Sequence, residues 1–502
     1  MVEGSVAPLE LPIIGGSDVG RDGWTWSSRD LRWRAWRRGS CRTRSISACC
    51  SRRTFGSGCA LLVSRHLALF LSDVVEAVDL TPILRALEKD DDRGRAGYHP
   101  TMMVKLLIYA YCVGKPSSRK IERATYEDVA FRVLSGDQHP DHDCIADFRK
   151  RHLKSLAGLF VQVLQLCRQA GLVKLGHIAI DGTKIQANAS KHKAMSYGRM
   201  GEAEKKLTEE VERLLQEAAH VDAQEDAEHG KGKRGDELPN ELARRETRLL
   251  KIRVAKAALE AQARDQARAL AAEVKAKLEE RAQKEAETGK KTGGPKPEAP
   301  NPDEAEPDAK AQRNFTDPES RIMPDGAHKG AFLQGYNAQI AVDAEAQIIV
   351  ACDVTQQTND KRQLVPMAAR IVANVGRLAD VTSADAGYFS EAAVENATLA
   401  STQLLVPPNR EKHGVVDPTV PLADDASAHD RMRHALGTPA GRALYRMRKA
   451  IVEPVFGQMK EARGFRRFLL RGLDAVKAEF AFLALTHNLL KLFRSARGLA
   501  AA

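Results

Sequence analysis

From Gly198 to Asn314 the chain contains no Phe, Tyr or Trp, and so long a stretch without the largest apolar side chains cannot close an ordinary globular core. A narrow helix pair remains open to it. Leu207, Val211, Leu214, Ala218 and Val221 step by four and three, and Leu259, Ala263, Ala267, Leu270, Val274 and Leu278 repeat the pattern, giving two amphipathic arms. The sequence EHGKGKRGDELPN breaks the helix between them, so the region reads as a helical hairpin or antiparallel coiled coil. The tail TGGPKPEAPNPDEAEPDAK carries too little apolar surface to order itself and reads as a disordered linker. Hairpin and linker together, 199–311, interrupt another domain.

The interrupted domain lies in two pieces, 173–198 and 312–495. The first piece holds HIAIDGTKIQANAS, where Ile178 and Ile180 share one strand face and Asp181 breaks the packing. Taken alone, Asp181-Gly182 also reads as a turn. The second piece opens with GYNAQIAVDAEAQIIVACDVTQ, two alternating strands joined near Asp343 to Ala346. DKRQLVPMAARIVANVG is a helix, LADVTSADAGYF a strand ending in Asp385, SEAAVENATLA a helix and TQLLVPPN a strand. A long helical region, RALYRMRKAIVEPVFGQMKEARGFRRF, follows. The order β-β-β-α-β-α-β-α defines an α/β domain, a mixed sheet flanked by helices.

Ahead of it, 59–172 shows helical periodicity throughout, with Ser117 or Ser118 capping one start and Gly114 and Gly136 marking ends. This is an all-α N-terminal domain. Residues 1–58 hold all four tryptophans amid RDLRWRAWRRGSCRTRSISACCSRR, without helical or strand period. They read as non-native sequence from a wrong start site or frame, the alternative being a basic DNA-binding arm. The formal net charge of +11 favours an anionic partner. Eight cysteines without C-x-x-C spacing point to a reducing, cytoplasmic compartment. CALLVSRHLALFLSDVVEAV is interrupted by Arg65, His66 and Asp73 and is too polar to span a bilayer, and the first residues lack a signal peptide's basic start and apolar core.

Asp181 on the first strand and Asp385 at the end of the fourth occupy equivalent places in such a sheet. Two carboxylates held close repel unless a cation neutralises them, and Glu453 is the candidate third acid. On a helix Lys449, Glu453 and Lys460 share a face, and Pro454 would kink the helix or start a new one. An ordinary charged helix face is the competing reading. Arg463, Arg466, Arg467 and Arg471, interleaved with aromatics in GFRRFLLRG, read as a phosphate-contacting surface. Asp343 and Asp353 read as turn or cap residues, PDHDC around His142 as a helix start, and Gln356, Gln357 and Asn359 as cleft-lining residues.

The ordered set AIDGTKIQANAS, KGAFLQGYNAQIAVD, DVTQQTNDKRQL, SADAGYF and YRMRKAIVEPVFGQMKEARGFRRFLLRGLDAVKAEFAFLALTHNLLKL resembles the DDE transposases of bacterial insertion sequences. The resemblance spans about 66–495 outside the hairpin and implies a ribonuclease-H-like catalytic core. It implies that Asp181, Asp385 and Glu453 are catalytic and bind two Mg2+ ions, with Mn2+ the alternative ion. Tyr445, Arg448, Glu453 and Lys460 resemble the family's Tyr-Arg-Glu-Lys signature, with one extra residue between Arg448 and Glu453. The DNA-contacting set is then Tyr445, Arg448, Lys449 and Lys460 with the four arginines. Two metals suit the chemistry, since cleaving a phosphodiester needs an activated water and a stabilised leaving oxygen. The implied partners are element ends and target DNA, bound by a homo-oligomer. A catalytically inactive, DNA-binding relic of such an element is the alternative.

Overall fold

The structure, a computed structural model, describes residues 66–501 except 88–96, 230–239, 289–296, 327, 329, 410–421 and 424–425. The segment 1–58 lies outside the described residues.

Seven helices open the described chain: α1 (Leu67–Ala77), α2 (Thr81–Leu87), α3 (Pro100–Cys112), α4 (Ser118–Glu127), α5 (Val129–Ser135), α6 (His142–Arg151) and α7 (Leu153–Gln169). Their boundaries follow local capping chemistry. Asp79 accepts from Thr81 N, Asp128 from Ala130 N and Asp141 from Cys144 N, each satisfying a backbone donor that a helix start leaves open. Gly136, at φ 60°, ends α5 in the left-handed conformation.

The strands are β1 (His177–Gln186), β2 (Ala194–Ser196), β3 (Gln312–Asn314), β4 (Arg321–Pro324), β5 (Phe332–Asp343), β6 (Ile349–Thr355), β7 (Val381–Ser383) and β8 (Gln403–Leu405). β5 lies antiparallel to β1 on one side and to β6 and β4 on the other, while β7 and β8 run parallel to β1. The order β6-β5-β1-β7-β8 puts β1 in the middle of a mixed sheet. Ile178, Ala179 and Ile180 are buried there, as are Ile340, Ala341 and Val342 opposite them on β5.

Between β2 and β3 stand the two long helices α8 (Tyr197–His229) and α9 (Asn240–Thr288). β2 pairs antiparallel with β3, so the chain leaves and rejoins the sheet domain through a two-stranded ribbon. Met200 and Leu207 of α8 pack on Leu249, Ile252, Ala255 and Leu259 of α9, a core separate from that of the sheet. Leu270 departs from the expected stripe. It is 50% exposed, because a straight helix drifts past a strict four-and-three count and turns Ala271 inward between the buried Ala267 and Val274 in its place. The linker reading also needs correcting for 297–311. This stretch lies along α9 with a turn at Pro302–Glu304, and Tyr197 N and Gly198 N donate to Ala311 O and Ala309 O. Backbone pairing supplies the order that its side chains do not.

The remaining helices are α10 (Leu364–Val375), α11 (Glu391–Val394), α12 (Ala428–Gly437), α13 (Pro439–Gly457) and α14 (Leu473–Ala501). α14 joins the two main layers, packing on β6 with one side and on α3 and α7 with the other. At that seam the buried Glu479 accepts from Tyr111 Oη at 2.9 Å and from Leu469 N and Leu470 N. Arg149 donates to Tyr111 Oη, Pro116 O and Ser118 Oγ. The N-terminal helices and the sheet therefore share one continuous hydrophobic core.

Candidate active site

β7 pairs with β1 only as far as Ala179↔Ser383. Asp181 lies two residues further along β1 and Asp385 two residues beyond the end of β7, so the shared register carries both towards the same level, where the edge of β1 opens. Asp385 caps the following 3-10 turn, its Oδ1 accepting from Gly387 N at 2.9 Å. Asp181 Oδ1 accepts from Gly182 N at 2.8 Å and Oδ2 from Arg448 Nη1 at 3.1 Å. Burial pushes the Asp181 carboxyl up to about 6, and the charge of Asp385 adds to the rise, against the opposing pull of Arg448 and the Gly182 amide.

Arg448 comes from α13, a helix packed across β1 and β5. Its side chain is 9% exposed. Burial works against its charge, but Asp181, Tyr445 and Asp385 more than compensate and hold it protonated. Tyr445, one turn earlier, places its ring 5.9 Å from the guanidinium. Beyond α13 the chain widens into a π-helical segment, Gln458–Ala462, which carries Lys460 onto β1. Lys460 donates to Thr183 Oγ1 at 2.5 Å and to Lys184 O at 2.9 Å.

Pro454 neither breaks the helix nor starts a new one, since α13 runs through it. The carbonyl of Ala450, denied its usual N–H partner by the proline, accepts from Gln347 Nε2 at 3.0 Å instead. With the helix unbroken, Val452 and Val455 face inward and Glu453 faces solvent. Among the described residues no group of three His, Cys, Asp or Glu side chains stands close enough to hold a metal ion. Asp181 and Asp385 are brought near enough for their charges to interact, and Glu453 does not complete a group of three with them in this structure.

One carboxylate beside the aspartate pair is not among the expected acids. Asp360 Oδ1 accepts from Asn337 Nδ2 and Gln339 Nε2, each at 2.6 Å, and lies 3.9 Å from Lys184 Nζ. Gln339 Oε1 in turn accepts from the buried hydroxyl of Tyr388. Burial raises the Tyr388 pKa well above its ordinary value, with Asp360, Asp181 and Asp385 reinforcing the effect. This network explains Gly182 better than a turn does, because β1 continues straight through it. A Cβ at 182 would meet Asp360 Oδ1 at 2.9 Å and Asn337 Oδ1 at 3.1 Å, and Gln339 Nε2 still closer. The Asp-Gly pair is thus a strand element next to a polar cluster. Gln339, opposite Gly182, and Asn337, opposite Lys184, were the available sequence signal, two amides at alternate positions within the buried part of the strand.

The remaining expected contacts fall into three groups. Lys449 is exposed on α13. Arg466, Arg467 and Arg471 are exposed beyond it, where Arg466 pairs with Glu461, Arg467 donates to Gln186 Oε1 and Arg471 to Asn188 O. Arg463 does not belong to that surface. It is 7% exposed, donates to Thr486 Oγ1 at 2.8 Å, and burial lowers its pKa to about 10. The close approach of Gly114 to its backbone marks it as a seam residue between the N-terminal helices and the sheet domain. Asp343 takes three backbone amides, from Lys174, Leu175 and Glu345, and Asp353 pairs with Arg370 at 2.9 Å. His142 pairs with Glu122 at 2.8 Å at the start of α6.

The donor chemistry of the aspartate pair suits a hard divalent cation. Its ligands are carboxylate oxygens, and its members raise each other's energy when both are charged. A central strand flanked by antiparallel and parallel neighbours, with one aspartate on it and one beyond its parallel partner, defines a ribonuclease-H-like DDE domain. Two family models match this chain: Transposase domain (DUF772) over residues 61–151, and Transposase DDE domain over residues 302–489. No curated protein and no solved structure matches it. The two matches in this order identify the chain as a DDE transposase of an insertion-sequence family.

Proposed function

We propose that this transposase cuts phosphodiester bonds at insertion-sequence ends and joins them to target DNA, with Asp181, Asp385 and Glu453 as the metal-binding acids. The observation that carries the reading is the level placement of Asp181 and Asp385 at the open edge of the central strand. Asp181 and Asp385 would hold the divalent ions, Mg2+ or Mn2+, which when bound would activate a water and stabilise the leaving oxygen. The chain's own residues do the rest. The Gly182 amide and Arg448 fix the two oxygens of Asp181, while Gly387 N fixes Asp385. Lys184 and Lys460 place two cations along the same strand, where a scissile phosphate would lie. Glu453, exposed and without a described partner, has no structural task that competes with a ligand role. Arg466, Arg467 and Arg471 would extend the cationic track past α13. In the domain reading, 59–172 and the interrupted pieces 173–198 and 312–495 form the working body, and 199–311 is an accessory hairpin.

The test is cleavage of the element's own ends in Mg2+ or Mn2+. Asp181→Asn, Asp385→Asn and Glu453→Gln should each abolish nicking while DNA binding persists, because phosphate contacts to Lys and Arg remain. A variant that nicks at the wild-type rate removes its residue from the site. Wild-type protein that binds ends but never nicks them favours the inactive relic.

A further inference from the structure

A second cationic feature lies beside the aspartate pair but outside it. The loop after β6 and the strands β3 and β4 enclose an open cleft lined by Lys310, Arg321, Arg362, Gln356, Gln357 and Asn359. Three of these residues are cations and three are amides, and no carboxylate lines the cleft. Arg321 is tied by its guanidinium to Pro318 O, Ser320 O and Gln262 Oε1, so its position is fixed. Among the described residues no carboxylate forms an ion pair with it, although the charges of Glu319 and Asp317 act on it. Arg313 stands near enough for the two like charges to oppose each other. Such a cleft is matched to an extended polyanion that brings several phosphates at once. The loop also connects cleft and active site. Gln356, Gln357 and Asn359 line the cleft, and the next residue, Asp360, binds Asn337 and Gln339 beside Asp181.

We propose that this cleft holds the phosphodiester backbone of DNA, leading a strand from the base of the hairpin to the aspartate pair. The inference rests on the transposase reading of that pair. It gives the cleft amides and cations a positioning role distinct from the track of Arg466, Arg467 and Arg471. A chain of phosphates gripped here also loads the Asp360 loop, so occupancy of the cleft and geometry at Asp181 are linked through residues 356–360.

The experiment uses the full chain with Lys310→Gln and Arg362→Gln combined, both side chains being exposed. Binding to an element-end duplex and to a random duplex of equal length is measured as a function of salt. Two lost phosphate contacts should lower the log–log slope by about 1.8, with an unchanged melting temperature. Thr358 also lines the cleft, and Thr358→Glu, which sets a negative charge against the phosphates without deleting a contact, should weaken binding as well. Loss confined to the element-end duplex assigns the groove to element DNA, and equal loss on both assigns it to any backbone. Slopes and affinities that match wild type on both duplexes overturn the groove. If wild type still nicks element ends in that case, the transposase reading stands; wild type that binds neither duplex overturns both.

Discussion

The hairpin and the catalytic sheet use charge in opposite ways. On the hairpin, Glu204 pairs with Arg253 and Lys256, and Glu210 with Arg245, all at about 3 Å on a partly wet surface. Such pairs each contribute roughly 0–1 kcal/mol, and the helices are held by a thin stripe of Leu, Ile and Ala. In the sheet, Asp181, Arg448, Lys184 and Lys460 are drawn out of water, where desolvation is costly and each partner matters. In the proposed reading, these are the charges that carry the chemistry. The contrast teaches which part of the molecule is built for stability and which is held for use.

The largest effect that would break this comparison concerns Asp181. Its folded-state pKa of about 6 lies above the ordinary 3.8, so the folded protein keeps the proton to higher pH than the unfolded chain. Stability from this group is therefore full below about 3.8, falls as pH rises towards 6 and stays low above it. The gap corresponds to about 3 kcal/mol at neutral pH. Metal-free Asp181→Asn should lack this decline, although it also weakens the Arg448 contact at every pH. Melting temperatures followed from pH 4 to 7 should decline in wild type and lack that decline in the variant, and added Mg2+ should restore wild type at pH 7 without helping the variant. Parallel pH profiles would place Asp181 in a wetter setting than the geometry gives it.

A smaller effect compares one glycine from each region. At Gly182 an alanine methyl collides with the amide and carboxylate cluster around Asp360, and loss of those buried bonds should destabilise by about 1–3 kcal/mol and depress nicking. At Gly201 in α8 nothing lies within 4 Å of the added methyl, and Gly→Ala in a helix should stabilise by about 0.5–1 kcal/mol. Denaturant midpoints moving in opposite directions support the contrast. Equal shifts would mean the sheet has room at 182.

Much of this arrangement was legible in the sequence because it rests on local pattern. The alternation around Asp181, the two paired strands after Tyr336 and the aromatic-free arms each announce their element from a few neighbours. What was not legible depends on contacts distant in the chain. Asp360 gains its place only when Asn337 and Gln339 come across from β5, and Arg463 differs from Arg466 only in which side of the chain meets Thr486. The order of 297–311 comes from backbone bonds to the start of α8, which no composition of side chains reports. Glu453 faces outward because α13 continues through Pro454 with Val452 and Val455 on its buried side, and Gln347 supplies the hydrogen bond to Ala450 O that the proline cannot.

The smallest effect should come from removing the hairpin altogether. The β2–β3 ribbon closes the gap at 194–196 and 312–314, and the hairpin's own core lies apart from the sheet's. Deleting 201–310 and bridging with a short Gly/Ser linker should leave the sheet folded, because the lost contacts are mainly internal to the arms. Several ties do cross the boundary: Gln262 Oε1 accepts from Arg321 at 3.2 Å, Glu260 Oε1 from Tyr197 Oη at 2.8 Å and Ala309 O from Gly198 N, and Met200 is buried against α9. Their loss should shift the melting temperature by about 2–4 °C, the change that about 1 kcal/mol produces in a domain of 150–250 residues. Mg2+ binding by Asp181 and Asp385 should persist, since neither residue touches the arms. DNA affinity should fall modestly as well, because Lys310 leaves with the deleted segment. A deleted protein that is unfolded by circular dichroism would show that the arms brace the sheet through those ties, and the division between a region built for stability and one held for use would then run elsewhere.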